Sequence, residues 1–158
     1  MEALISQTGN SATATTQAKA VVNADIVLLA IPWAPAKSIV SGLGSLDGKI
    51  IIDPINGLAF GAEKTVGIAA DPSAAELIQE WAPGAHVVKA FNTLTRAYMV
   101  DAASASGPIT IPLAGDDAAA KERVGELVTA VGLVPLDVGA LSHARRVEAR
   151  GQRHPDND

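Results

Sequence analysis

The sequence alternates short apolar runs with segments of helical period, and this alternation is the feature that most restricts its fold. Strands that alternate with helices along a chain form a mostly parallel sheet, covered by helices on both faces. Hydrophobic residues make up 48% of the chain but aromatic residues only 3%, so Ala, Val, Leu and Ile must fill the core. The sequence therefore predicts an α/β fold with five strands: Asp25 to Ile31, Lys49 to Asp53, His86 to Phe91, Ile109 to Ala114 and Val134 to Val138.

Polar residues mark where helices between these strands begin. Thr16 precedes QAKAVV, and Ser73 with Glu76 forms an S-x-x-E capping box before LIQEW. Asp116 or Asp117 stands before the alanine-rich segment AAAKERVGELVTAVG and predicts an N-cap there.

Glycines and polar stretches mark where regular structure should stop. Gly84 and Gly132 stand where the C-terminus of a helix takes a left-handed residue. The segment Gly57 to Asp71 has no clear period, so we predict a long loop there. Residues 150–158, RGQRHPDND, contain nothing apolar to bury, and we predict a disordered tail after one domain over residues 1–149.

Composition argues against several classes of function. The formal net charge of −5 argues against nucleic acid as a partner, because proteins that bind phosphate backbones concentrate Lys and Arg. The chain has no cysteine, which excludes disulfides, thiolate metal sites and cysteine nucleophiles. No apolar run reaches the roughly 18 to 20 residues of a membrane span, and the N-terminus lacks a signal core. We therefore expect a soluble, cytoplasmic protein.

Reactive side chains form no recognisable catalytic or metal-binding pattern. His86, His143 and His154 lack the i, i+4 spacing of metal ligands on a helix. Ser142 and His143 are adjacent and would point apart on a helix, and no G-x-S-x-G motif is present. The sequence therefore nominates no catalytic residue and no metal ligand.

The stretch NADIVLLAIPW, Asn23 to Trp33, is typical of an interior strand in a dinucleotide-binding sheet. Such sheets carry G-x-G-x-x-G after a strand and at the start of a helix, where backbone amides meet the pyrophosphate. The nearest match is GLGSLDG, with Gly42, Gly44 and Gly48. Its last spacing is one residue too long, and it precedes the strand KIIID. The 158 residues therefore contain no such glycine loop.

Five blocks of the sequence, in order and spacing, resemble the NADP oxidoreductase family that depends on coenzyme F420. They are ADIVLLAIPW, LDGKIIIDPINGL, SAAELIQEWAPGAHVVKAFNTL, PLAGDDAAAKERVGELVTAVGLVPLDVGAL and ARRVE, within about Glu2 to Glu148. The resemblance implies a Rossmann-type domain that passes a hydride between NADP and coenzyme F420, a deazaflavin. It also implies that a β-α-β unit of roughly 30 or more residues, with the glycine loop, is missing before Met1.

Two further departures from the family lie inside and at the end of the chain. The family usually has proline after Asn56, where this sequence has Gly57, and it continues into an apolar helix where this sequence has RGQRHPDND. We therefore expect NADP binding to be weak or lost and the hydride transfer to be impaired. The alternative is a non-catalytic binding or assembly module derived from the same fold.

The resemblance implies a set of cofactor-binding residues beyond the carboxyl ends of the strands, where ligands of such sheets bind. Those after the first strand would line the nicotinamide side, with the tryptophan at its flank. The Asn and Thr residues would supply hydrogen bonds. For Pro32, Trp33 and Asn92 a purely structural role stays open, namely a strand end, a core cover and a turn. The set is Ala30, Ile31, Pro32, Trp33, Asn56, Ala90, Asn92 and Thr93.

The strand DIVLLAIP also predicts self-association. In the Rossmann strand order 3-2-1-4-5-6 the glycine-loop strand pairs with this one, so without it the strand is an exposed edge. The edge is apolar and has no Lys or Pro in its middle, which makes it a template for pairing with another chain. We expect a homodimer or a larger assembly.

Overall fold

A computed structural model describes residues 12–60, 66–68, 72–94 and 107–148. The strands are β1 (Ile26–Leu28), β2 (Ile50–Asp53), β3 (Leu58–Phe60), β4 (Val66–Ile68), β5 (His86–Lys89), β6 (Thr110–Gly115) and β7 (Val134–Gly139). The helices are α1 (Gln17–Val22), α2 (Ala36–Gly42), α3 (Ala74–Trp81), α4 (Ala118–Ala130) and α5 (Ala144–Val147), and a 3₁₀ turn at Leu141–His143 precedes α5.

Five of these strands form one sheet in the order β1-β2-β5-β6-β7. The pairs β1–β2, β2–β5 and β6–β7 are parallel, and β5–β6 is antiparallel. The predicted α/β class with a mostly parallel sheet is therefore confirmed, and its five strands are the five apolar runs found in the sequence. Within the described ranges, no helix is long and apolar enough to cross a lipid bilayer.

Both faces of the sheet are buried at its central strands β2 and β5, which explains why these strands are continuous apolar runs. Consecutive residues of a strand point to opposite faces. Ile51 packs in a cluster with Val40 of α2 and Ile78 of α3, whereas its neighbour Ile52 packs with Val124 of α4. Helices therefore cover the sheet on both sides, as the α/β pattern predicts.

Three predicted N-caps are present, each satisfying a backbone amide of the first turn. Thr16 accepts from the amide of Lys19, and Ser73 and Glu76 form the complete capping box of α3. At the third cap Asp117, not Asp116, accepts from the amide of Ala120, at 2.7 Å. The short-range rules for caps therefore locate the beginnings of these helices.

The predicted left-handed glycine is confirmed at Gly132, with φ +79°, and wrong at Gly84. Helix α3 ends three residues before Gly84, with Ala82 as its C-cap. Gly84 instead lies close to Asp47: a Cβ at Gly84 would lie 1.9 Å from Oδ1 of that side chain, which would have to move.

Strand bounds and one loop differ from the prediction. The first strand ends at Leu28 instead of Ile31, because the amide of Ile31 donates to the carbonyl of Leu29, at 3.1 Å, and the chain turns. The predicted loop from Gly57 to Asp71 contains β3 and β4, an antiparallel pair whose three-residue strands are too short to show a period. The tail predicted at residues 150–158 lies outside the described residues.

Candidate functional site

A cleft of about 850 Å³ opens at the carboxyl ends of β1 and β2. The loop after β1 forms one wall, and the loop after β2 forms the other. Parallel strands of an open α/β sheet place their ligands at this edge. The cleft is lined by Ala30, Ile31, Pro32, Trp33, Ala34, Pro54, Ile55, Asn56 and Leu58.

The structure brings five of the eight predicted site residues into this cleft: Ala30, Ile31, Pro32, Trp33 and Asn56. The other three follow β5 and do not line it. Ala90 is fully buried and Asn92 is 9% exposed, whereas Thr93 is exposed.

Asn92 reaches the cleft through Asn56. The Nδ2 group of Asn56 donates to the carbonyl of Asn92 at 3.0 Å, and Nδ2 of Asn92 donates back to Oδ1 of Asn56 at 3.1 Å. Nδ2 of Asn92 also donates to the carbonyl of Val147 at 2.8 Å. In the part of the chain that the structure describes, the buried Oδ1 of Asn92 has no hydrogen-bond partner. A buried acceptor without a donor is costly, so this oxygen is suited to an N–H group of a ligand.

Phe91 adopts a left-handed backbone conformation, with φ 64°, between Ala90 and Asn92. A bulky residue rarely adopts this conformation, which costs about 1 to 3 kcal/mol and occurs most often at functional sites. The strain lies at the end of β5, directly before the asparagine that contacts Asn56.

A buried charge cluster contacts the loop after β2, and the sequence did not lead us to predict it. The Lys89 ammonium lies 2.9 Å from Oδ2 of Asp53 and 2.7 Å from Oε1 of Glu148. The side chains of Asp53 and Lys89 have no exposed surface, and that of Glu148 is 11% exposed. Burial raises the pKa of the Asp53 carboxyl, and the neighbouring Lys89 ammonium opposes this effect. One feature of the sequence could have indicated the cluster: each of the apolar runs IIID and HVVK ends in a charged residue, Asp53 or Lys89.

The cluster fixes the loop that follows β2. The amide of Ile55 donates to Oδ1 of Asp53 at 2.8 Å, and the ammonium of Lys89 donates to the carbonyl of Ile55. Both backbone groups of Ile55 are thus held by buried charges, directly before Asn56. The loop wall of the cleft is therefore tied to the cluster.

Trp33 lines the cleft, and its indole stacks on that of Trp81, the last residue of α3. The ammonium of Lys37 lies 6.0 Å from the centroid of the Trp81 ring. The aromatic pair therefore connects this wall of the cleft to the helix layer.

Comparison with known proteins places this geometry in a family. The sequence profile of coenzyme F420-dependent NADP oxidoreductases matches residues 1–57. A crystal structure of the hypothetical protein SMa0349 from Sinorhizobium meliloti is 30% identical, with a TM-score of 0.81, over 96% of this chain and 73% of that one. A candidate F420-dependent NADP reductase from Arthrobacter sp. FB24 is 32% identical, with a TM-score of 0.78, over 85% of this chain and 63% of that one. The chain belongs to the coenzyme F420-dependent NADP oxidoreductase family.

Metalloreductase STEAP3 from Rattus norvegicus is a curated relative of this family member. It is 34% identical over 135 residues, which are 85% of this chain and 26% of that protein. The chain thus spans about a quarter of the rat metalloreductase and less than two thirds of the Arthrobacter protein. The family and the Rossmann-like fold predicted from the five sequence blocks are confirmed.

Proposed function

We propose that this family member forms the nicotinamide side of an NADP site, where a hydride passes between NADPH and coenzyme F420. The observation that carries the proposal is the cleft at the carboxyl ends of β1 and β2. Its volume of about 850 Å³ falls within the range of small-molecule sites, and predicted nicotinamide-side residues form one of its walls.

The residues present fit such a group. Ala30, Ile31 and Pro32 give the wall an apolar surface, which suits the face of a planar ring. The Asn56–Asn92 pair offers amide groups beside this wall, and the buried Oδ1 of Asn92 is an acceptor of the kind that a carboxamide N–H requires.

The role of the protein in this reaction is to bind and align. When bound, the cofactors supply the hydride donor and acceptor, so no acid or base is needed from the chain. The walls around Ile31 and Ile55 offer an apolar surface to a bound ring, while the loop held by Asp53 and Lys89 keeps Asn56 in place. Alignment of this kind lowers the barrier by orienting the reactants in advance.

We further propose that the 158-residue chain, as one domain over residues 1–149 in the cytoplasm, binds NADPH weakly and turns over little coenzyme F420. These residues contain no glycine loop, whose amides would meet the pyrophosphate. The second candidate function is an assembly module. It is favoured by β1, which within the described ranges pairs only with β2 and leaves Leu28 59% exposed.

Calorimetric titration with NADPH and with reduced nicotinamide mononucleotide tests the proposal. We expect both to bind with dissociation constants within about tenfold of each other, because the contacts lie on the nicotinamide side. Asn56→Ala should weaken both, whereas Asn23→Ala, at an exposed asparagine that ends α1, should weaken neither. Submicromolar affinity for NADPH would contradict the weak binding, and no binding of either compound by the folded chain would contradict the site.

A further inference from the structure

Glu148 is the last residue that the structure describes, and it joins the charge cluster of Lys89 to helix α3. Its carboxylate lies 2.7 Å from the ammonium of Lys89. It also accepts hydrogen bonds from the amides of Ala74 and Ala75, at 3.1 and 3.3 Å, in the first turn of α3. One carboxylate therefore contacts both a buried cation and a helix terminus.

The ammonium of Lys89 has three N–H donors and three acceptors: Glu148, Asp53 and the carbonyl of Ile55. The group is fully buried, so no water competes for these bonds. Loss of the Glu148 carboxylate leaves one N–H of this buried ammonium without an acceptor, and the cation is no longer held from that side in its place beside Asp53 and Ile55. A change at Glu148 is therefore transmitted to Ile55 through one atom, Nζ of Lys89.

A second contact runs in parallel with the first. Val147, the neighbour of Glu148, accepts a hydrogen bond from Nδ2 of Asn92, and the same Nδ2 group donates to Asn56 in the cleft wall. Val147 thus contacts the Asn56–Asn92 pair, and Glu148 contacts the charge cluster. Each of these contacts bridges segments that are far apart in the chain.

We propose that Glu148 is a positioning residue of the candidate site, which acts through Lys89 to hold the loop Pro54–Asn56 in its place. The significance for hydride transfer rests on the proposed function, but the geometric link does not. The competing interpretation is that Glu148 serves only as a cap that fixes α3. Helix α3 already has its own capping box from Ser73 and Glu76, so the charge of Glu148 is not needed to begin the helix.

Amide hydrogen exchange in Glu148→Gln separates the two roles. We expect exchange at Ile55 to become about tenfold faster or more, and the side-chain amide signals of Asn56 and Asn92 to shift. Glu126→Gln is the matched control, because it breaks an exposed pair with Arg123, whose atoms lie 3.0 Å apart. The control should leave all of these signals unchanged.

Two results with Glu148→Gln would overturn the proposal. One is a folded Glu148→Gln variant in which Ile55 exchanges at the wild-type rate. The other is faster exchange confined to Ala74 and Ala75, which would identify Glu148 as a helix cap alone.

If the Gln variant does not fold, Glu148→Asp makes the same comparison, because it keeps the charge but shortens the side chain by one methylene. We then expect a smaller increase at Ile55, and no increase would be equally decisive against the proposal.

A measurement on the wild-type chain needs no variant. The ammonium protons of Lys89 should exchange with water far more slowly than those of Lys19, which is exposed on α1. Equal rates would contradict the three-partner geometry and the proposal with it. If the wild-type chain binds no NADPH, the proposed function fails while these exchange results still decide the role of Glu148.

Discussion

The indole rings of Trp33 and Trp81 stack with their centroids 5.5 Å apart and their planes 25° from parallel. Trp33 belongs to the cleft wall and Trp81 to α3, and both side chains are half-buried. Stacked aromatic pairs contribute about 0.5 to 1.5 kcal/mol beyond the burial of their surface. The pair therefore holds the loop after β1 against the helix layer.

A double-mutant cycle of Trp33→Leu and Trp81→Leu should show this contribution. We expect the two substitutions together to destabilise the chain by about 0.5 to 1.5 kcal/mol less than the sum of the single effects. Urea unfolding gives the free energies, and near-ultraviolet circular dichroism reports the loss of the stacked pair. Strict additivity would show that the rings do not interact.

Replacement of Asn92 by alanine should destabilise the chain. The substitution removes the donor to the carbonyl of Val147 and to Oδ1 of Asn56. Unpaired buried acceptors cost about 1 to 3 kcal/mol, and we expect a loss in that range by chemical denaturation. Thr93→Ala is the control, since Thr93 is the exposed next residue and should change stability by less than about 0.5 kcal/mol. Equal effects of the two variants would be inconsistent with the network.

The ion pair at β7 should make stability depend on pH. Both carboxylate oxygens of Asp137 accept from the Lys121 ammonium at 2.9 Å, and Oδ1 accepts from the amide of Gly139 at 2.8 Å. The hydrogen bonds from Lys121 and then from Gly139 hold the pKa of Asp137 below its ordinary value of 3.8. A depressed folded-state pKa stabilises the protein above the unfolded value, and this contribution is lost as pH falls through the folded pKa.

Asp137→Asn should therefore lower the free energy of unfolding at pH 7, and the difference should shrink as pH falls below 3.8 and vanish once pH is below the folded-state pKa. The side chain is 59% exposed, so solvent screening limits the expected loss to less than about 1 kcal/mol. Urea unfolding at a series of pH values measures it. A difference that stays constant down to the acid end of the series would refute the assignment to this carboxylate.

The edge strand β1 should cause self-association of the 158-residue chain. We expect light scattering during size-exclusion chromatography to give a mass above the 16.1 kDa of one chain. Leu28→Lys should shift the population toward monomer, because a charge on an edge strand opposes pairing. Leu136→Lys, on the opposite edge strand β7, is the matched control at 51% exposure and should not. A stable wild-type monomer would end this prediction.

The sequence predicted what local chemistry controls. The capping box of Ser73 and Glu76 and the left-handed Gly132 depend on residues within one or two turns, so their patterns are visible in the letters. The reversal of β6 against β5 leaves no such mark, because an apolar run looks the same in either direction.

The candidate site was predictable only in part, for the same reason. Ala30 to Trp33 follow a recognisable strand, so their place at its carboxyl end was foreseeable. Lys89 was not, because its partners Asp53 and Glu148 lie on other elements and only the fold brings them together. Asn92 was named through the family resemblance, but its contacts with Asn56 and Val147 were not foreseeable, because they join residues 36 and 55 positions apart.

The cluster of Asp53, Lys89 and Glu148 also constrains how the sequence can diverge. Removal of one member of a buried ion cluster costs several kcal/mol, whereas replacement of all its charges by well-packed neutral residues can be neutral or favourable. Single substitutions should therefore be purged during evolution, and concerted ones tolerated. Among homologues we expect these three positions to covary: a homologue without the lysine should also lack both acids.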